Sequence, residues 1–216
     1  MGDLIAAVKA GDVAEVEALL AREPAAAGAQ DDGIPAVRLA LYHRQPAVLR
    51  ALLAAGPPLD GLDLAALGRA EELRRAVGEE SALVAQRSAD GFTALHYACF
   101  FGGAAATAVL LEAGADPDAE AGNPSRVRPL HSAAAARDAE SARLLLEAGA
   151  DPDAQQAGGF TALHAAAQHD DAALAELLLS HGADPAVRND EGDDAESMAR
   201  ANDSAATLGL LAARAG

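Results

Sequence analysis

The sequence has no tryptophan, one lysine and one cysteine, and aromatic residues fill only 3% of its 216 positions. Each scarcity excludes something. A lone Cys99 cannot close an intrachain disulfide, which rules out a disulfide-stapled scaffold. With Lys9 the only lysine, acidic residues dominate, and the formal charge is −17. Such a chain is not a general nucleic-acid or anionic-membrane binder, because both need basic surface to displace counterions. Apolar runs of transmembrane length are missing. The first residues, Met1-Gly2-Asp3-Leu4-Ile5-Ala6, lack the basic and apolar regions of a secretion signal, so a cytoplasmic location is expected. There is no phosphate-binding glycine loop, no dinucleotide fingerprint, no Gly-x-Ser-x-Gly elbow and no His-Glu-x-x-His. The expectation is a non-catalytic protein with no cofactor and no metal. The arginine and alanine richness suggests a GC-rich, bacterial source.

What the sequence does have is repetition. Thr93-Ala94-Leu95-His96-Tyr97-Ala98 returns as Arg128-Pro129-Leu130-His131-Ser132-Ala133 and as Thr161-Ala162-Leu163-His164-Ala165-Ala166, at offsets of 35 and 33 residues. Gly114-Ala115-Asp116-Pro117, Gly149-Ala150-Asp151-Pro152 and Gly182-Ala183-Asp184-Pro185 keep the same offsets. Self-similarity at this period marks a stacked array in which each unit leans on its neighbours. Such an array presents one long surface and no central crevice.

Each unit reads as two helices. Threonine suits the N-cap of the first, because its hydroxyl can satisfy an unpaired backbone group. The second ends in an apolar triplet (Val109-Leu110-Leu111, Leu144-Leu145-Leu146, Leu177-Leu178-Leu179), with a glycine three residues on to terminate it. Asp90-Gly91 and Gly158-Gly159 are turn signals before the next unit. Degraded copies extend both ways. Gly33-Ile34-Pro35-Ala36-Val37-Arg38-Leu39-Ala40 matches the first helix, and residues 61–89 hold a compressed unit with little room for one. Glu196 stands where the inner units have a first-helix leucine, as suits a wet outer face. The expected units are about 1–31, 32–60, 61–89, 90–124, 125–157, 158–190 and 191–216, the first and last acting as caps.

Gly91-Phe92-Thr93-Ala94-Leu95-His96, its copy at 159–164 and the Leu-Leu-Leu-x-x-Gly-Ala-Asp phrases resemble the ankyrin-repeat family, strongly over 90–190 and loosely elsewhere. The resemblance implies an all-α solenoid of helix-loop-helix units with short hairpin connections. It also implies protein binding through hairpin tips and first helices on the concave side. Two departures stand out. Arg126 and Arg128 replace the glycine and threonine of the fifth unit, which puts its cap and its threonine–histidine hydrogen bond in question. Two extra residues around Gly122-Asn123-Pro124-Ser125 predict a longer tip.

Candidate chemistry is thin. His96, His131 and His164 recur one layer apart. Helix layers stack about 8–10 Å apart, so the three cannot share one zinc ion, whose ligand nitrogens lie about 2.0–2.1 Å away. They read as imidazoles bonded to neighbouring hairpin backbone. His169 and His181 read as surface residues. Asp116-Pro117-Asp118 and Asp151-Pro152-Asp153 lack the remaining ligands of a calcium loop and read as turns. Cys99, three residues after His96, reads as an inert buried thiol, with a thiol enzyme as a remote alternative. Arg126, Arg128 and Arg137 read as partners of Glu120 and nearby carboxylates.

The functional signal is aromatic placement. In the ankyrin pattern, the residue after the hairpin glycine and the two ending the first helix are exposed and variable. Tyr42, Phe92, Phe100, Phe101 and Phe160 hold such positions, as do His43, Val127 and His169. These eight are the candidate partner-binding residues. The expected partner is a protein with apolar or basic surface, bound by a monomer acting as scaffold or regulator. Two other readings stay open. Phe100 and Phe101 fill space over the compressed unit, or the patch pairs two copies of the chain as a self-associating structural protein.

Overall fold

A computed structural model describes residues 2–214. Among them are fourteen α-helices arranged as seven successive pairs. The pairs are α1 (Gly2–Ala10) with α2 (Val13–Arg22), α3 (Ala36–Tyr42) with α4 (Pro46–Ala54), α5 (Gly61–Ala66) with α6 (Ala70–Glu79), and α7 (Ala94–Tyr97) with α8 (Ala104–Glu112). They continue with α9 (Pro129–Ala136) and α10 (Ala139–Glu147), α11 (Ala162–Gln168) and α12 (Ala172–Ser180), and α13 (Ala195–Ala201) and α14 (Ala205–Arg214). The expected all-α solenoid is what the chain forms. Its one named sheet is a two-residue antiparallel ladder of β1 (Gln30–Asp31) and β2 (Ile34–Pro35), a hairpin connection.

Local chemistry starts each helix. Asp12, Asp138 and Asp171 cap α2, α10 and α12 by accepting from backbone N–H groups three residues on, at 3.0, 3.0 and 3.1 Å. This satisfies donors that have no partner inside the helix. The leucines of the repeated phrases form the core. Leu95, Leu130 and Leu163 of the first helices and Leu110, Leu145 and Leu178 of the second are all at most 2% exposed. Burying each contributes about 1.5–3 kcal/mol relative to exposure.

From the fourth pair onward each hairpin tip is stitched to the next. Gly122 N–H donates to Gly91 O at 2.9 Å, Ala157 N–H to Ser125 O at 2.9 Å and Asp190 N–H to Gly158 O at 3.0 Å. The Asp-Pro-Asp turns join the ladder. Asp118 accepts from Asp151 N–H at 3.1 Å, and Asp153 accepts from Asp184 N–H at 2.9 Å.

The array is discontinuous at one junction. The buried apolar residues form two clusters, one from Leu4 to Leu52 and one from Leu62 to Leu211. The break falls between the second and third pairs. There α4 and α6 barely touch, whereas every other consecutive pair of second helices packs together. Tyr42 and Leu59 are half-buried against both clusters.

The third pair is the compressed one, and its shortening has a consequence the repeat pattern hides. α5 keeps six residues, and what is shortened is the link before it: residues 55–60, six in all, join α4 to α5, where thirteen to sixteen residues join the other pairs. After α7 the chain does not continue as α-helix but widens into a π turn, Ala98–Gly102. Gly103 N–H closes it on Ala98 O at 2.7 Å. The turn lies so close to α5 that a Cβ on Gly102 would sit 2.0 Å from Ala65 O. Only glycine fits there. With this close approach, side chains of the second and fourth pairs meet across the third. The expectation that each unit touches only its neighbours is corrected here.

Candidate functional site

The side chains that meet are Tyr42 from the end of α3 and Tyr97 and Phe101 from α7 and the π turn. Tyr42 lies 5.8 Å from Phe101 and 6.3 Å from Tyr97 between ring centroids. Phe92 stands edge-on to Tyr97 at 6.1 Å, and Phe100 edge-on to Phe101 at 4.6 Å. These are the tilted and edge-to-face geometries that ring quadrupoles favour. Together with Arg44, Val127, Ala135 and Gln156 they line a groove of about 370 Å³. The long surface expected of the array therefore carries a local groove.

Of the eight candidate residues, Tyr42, Phe92, Phe100, Phe101 and Val127 line this groove. Tyr42, Phe92, Phe101 and Val127 are half-buried. Phe100 is 37% exposed, the one large apolar side chain left open among the described residues. His43 is exposed at the end of α3, outside the groove lining. Phe160 is half-buried against His164, 5.9 Å away, one pair further along. His169 is exposed at the end of α11, where its Nδ1–H donates to Ala165 O at 2.9 Å. The space-filling reading describes Phe101, which packs on Tyr42 over the compressed pair. It does not describe Phe100.

Beneath the groove lies a polar network that the sequence reading missed. Asp90 accepts from Tyr97 Oη at 2.9 Å and from Tyr42 Oη and Ser88 Oγ, and the two tyrosine hydroxyls are 2.7 Å apart. Burial works to raise the Asp90 pKa. The three hydroxyl donors overcome it and hold the carboxyl below its ordinary range. Burial, and then the bond to Asp90, keeps the Tyr42 phenol protonated well above its usual pKa. Next to this network is Arg38, 3% exposed. Its Nη2 donates to Asp60 at 3.0 Å, its Nε lies 2.9 Å from Asp63 Oδ1, and its guanidinium covers the Tyr97 ring at 5.6 Å. The Nε–Oδ1 approach is an ion pair without hydrogen-bond alignment, and Arg38 Nη1 has no hydrogen-bond partner. Burial opposes the Arg38 charge, yet Asp63 and Asp60 more than offset it. Burial raises the Asp63 carboxyl above its ordinary range, against the pull of Arg38.

The signal for this network was present. Laid on Gly91–His96, the second unit places Arg38 at the histidine position, and the third places Asp63 there. The three histidines themselves do what was expected. His96, His131 and His164 donate from Nε2 to Val127 O, Phe160 O and Asp193 O at 2.9, 3.1 and 3.0 Å. Nδ1 of His96 and His164 accepts from the backbone N–H and hydroxyl of Thr93 and Thr161. A ring bonded this way is neutral. Burial lowers the His96 pKa to about 4 and lowers that of His131 as well. Where Arg128 replaces threonine the hydroxyl bond is gone, but His131 still accepts from Arg128 N–H at 3.3 Å.

Cys99 is 1% exposed, and burial pushes its thiol up to about 12. Its polar neighbour is Thr107, 3.7 Å away, while both nitrogens of His96 are engaged elsewhere. Among the described residues no three His, Cys, Asp or Glu side chains converge as a metal site. Arg126 pairs with Glu120 at 3.0 Å and Arg137 with Asp171 at 3.3 Å. No described helix is long and apolar enough to cross a membrane.

A family model for ankyrin repeats (3 copies) matches residues 63–156 and 117–189, more than half of the chain. The chain belongs to the ankyrin-repeat family. A search of curated proteins finds no match. Ankyrin repeats are generally protein–protein interaction modules, and the family is typically non-catalytic. In this ankyrin array the groove lies on the first helices and hairpin residues, where the resemblance had placed the contact positions.

Proposed function

We propose that this ankyrin array is a non-catalytic docking protein, a scaffold or regulator, that receives an apolar side chain of a partner protein in the groove at Tyr42, Phe92, Phe100, Phe101 and Val127. The observation that carries the reading is Phe100, an exposed aromatic at the mouth of an aromatic groove, in a chain with six aromatics in all. Aromatics in a desolvated patch supply most of the binding energy in interfaces. The stacked leucines hold the groove in place before binding, so little ordering entropy is lost. His43, Phe160 and His169 serve as outlying contacts. The charge of −17 repels acidic proteins at long range and steers basic ones. A single buried cysteine suits the reducing cytoplasm.

The test is capture of partner by wild type and by Phe100→Glu, with circular dichroism as the folding control. Loss of capture by a folded variant supports the groove. Equal capture removes it from the reading. Sedimentation at micromolar concentration accompanies the test: a dimer that Phe100→Glu dissolves would make the partner a second copy of the chain.

A further inference from the structure

Arg38, Arg87, Arg126, Arg128 and Arg137, in the second to fifth pairs, are each already engaged. Arg38 holds Asp60 and Asp63, Arg126 holds Glu120, and Arg137 holds Asp171. Arg128 lies 3.9 Å from Asp118 and 3.8 Å from Glu120. Arg87 donates to the carbonyls of Gly91 and Glu120 at 3.1 and 2.6 Å. Arg44 lines the groove, is exposed, and has no carboxylate or carbonyl partner among the described residues. Arg22, Arg50 and Arg75 are also without a carboxylate partner among the described residues, but Arg44 is the arginine that lines the groove. Its backbone is fixed in the turn. Arg44 occupies the left-handed region at φ 53°, and its N–H donates to Leu41 O at 2.9 Å. Equivalent turns after the first helices carry Gly11, Gly68 and Gly103, and also Arg137, Asp170 and Asp203, all at positive φ.

The geometry points to a partner segment whose apolar anchor is accompanied, within a few residues, by an aspartate or glutamate that pairs with Arg44. This rests on the groove reading and names its specificity. The groove takes the anchor by apolar contact, and the guanidinium then offers a planar two-pronged donor to a carboxylate. Long-range repulsion limits the partner to this one local acid on an otherwise neutral or basic surface. The combination discriminates more than either part. A plain basic segment leaves Arg44 facing like charge, and a generally acidic one is repelled before contact.

Selection from a displayed random-peptide library tests it, using wild type, Phe100→Glu, Arg44→Glu and Arg44→Gly. The glycine variant removes the charge in a backbone conformation glycine adopts without strain. Expected are enriched peptides that share an apolar residue with Asp or Glu nearby, and a switch to Lys or Arg with Arg44→Glu. A selected peptide should bind Arg44→Gly about tenfold more weakly, and its Asp→Asn or Glu→Gln version should lose a similar factor on wild type but little more on Arg44→Gly. Enrichment lost with Phe100→Glu but without acidic bias would overturn the Arg44 pairing and leave the groove standing. Enrichment indifferent to Phe100→Glu, or none at all, would remove both.

Discussion

The two halves of the array use one position in two ways. In the fourth, fifth and sixth pairs, the third residue of the first helix is a histidine that ties its layer to the next hairpin through a neutral hydrogen bond. In the second and third pairs that position holds Arg38 and Asp63, which face each other as a buried ion pair. The histidine half has a continuous apolar core and stitched hairpin tips; the other half has a core broken at the same junction. A hydrogen bond to a carbonyl passes from layer to layer without depending on a particular partner side chain. An ion pair needs its one complement, and burying it costs desolvation. The regular half can therefore be extended by copying, while the irregular junction is specific to its two residues.

The largest test of that contrast is removal of one charge. Arg38→Leu strands Asp63, and the expected loss is about 3–5 kcal/mol in urea denaturation. Arg38→Leu with Asp63→Leu should recover most of it. A double variant as unstable as the single would mean that the ion pair is not what sets the junction apart.

The next test uses pH. His96 titrates near 4 in the fold and near 6.5 as a free group. Its neutral form is the native one, so the stability it protects is complete above about pH 6.5 and is lost as pH falls toward 4, by about 3 kcal/mol. Asp63 has the opposite sign. Its raised pKa makes stability fall as pH rises above the ordinary carboxylate range. His96→Gln should flatten the acid-side loss of stability, and Asp63→Asn should steepen it. Parallel slopes for both variants would break the two-chemistry comparison.

Much of this was legible in the sequence. The phrases at 93–98, 128–133 and 161–166 placed the helices, and their spacing excluded a shared metal. Arg38 and Asp63 were equally legible by alignment on His96, but attention to the repeated residue passed over the replaced one. The groove was only half legible. Positional reasoning placed Phe92, Phe100 and Phe101 on contact positions, yet the meeting of Tyr42 with Phe101 depends on how closely the pairs on either side of the third approach, and no single unit carries that information. Gly102-Gly103 likewise looks like an ordinary helix end in sequence, although the chain widens into a π turn there.

The smallest test compares one hairpin position in two units. Gly159→Ala places a Cβ 2.8 Å from Asp190 N at φ 75°, and should cost about 1–3 kcal/mol. Arg126 already sits at φ 51° in the fifth unit, where the tip is two residues longer, so Arg126→Gly should raise the urea midpoint slightly. A lowered midpoint would mean that the Glu120 pair outweighs the backbone strain.

The six-residue link between α4 and α5 suggests how a monotonous protein acquires an address. Adding a course to a wall of identical bricks only lengthens it. Thinning the mortar at one joint brings the courses on either side closer, and residues that were strangers in the pattern become neighbours. A deletion can in this way create individuality where duplication cannot, and protein engineers could use the same cut to place a unique docking point in an otherwise uniform scaffold.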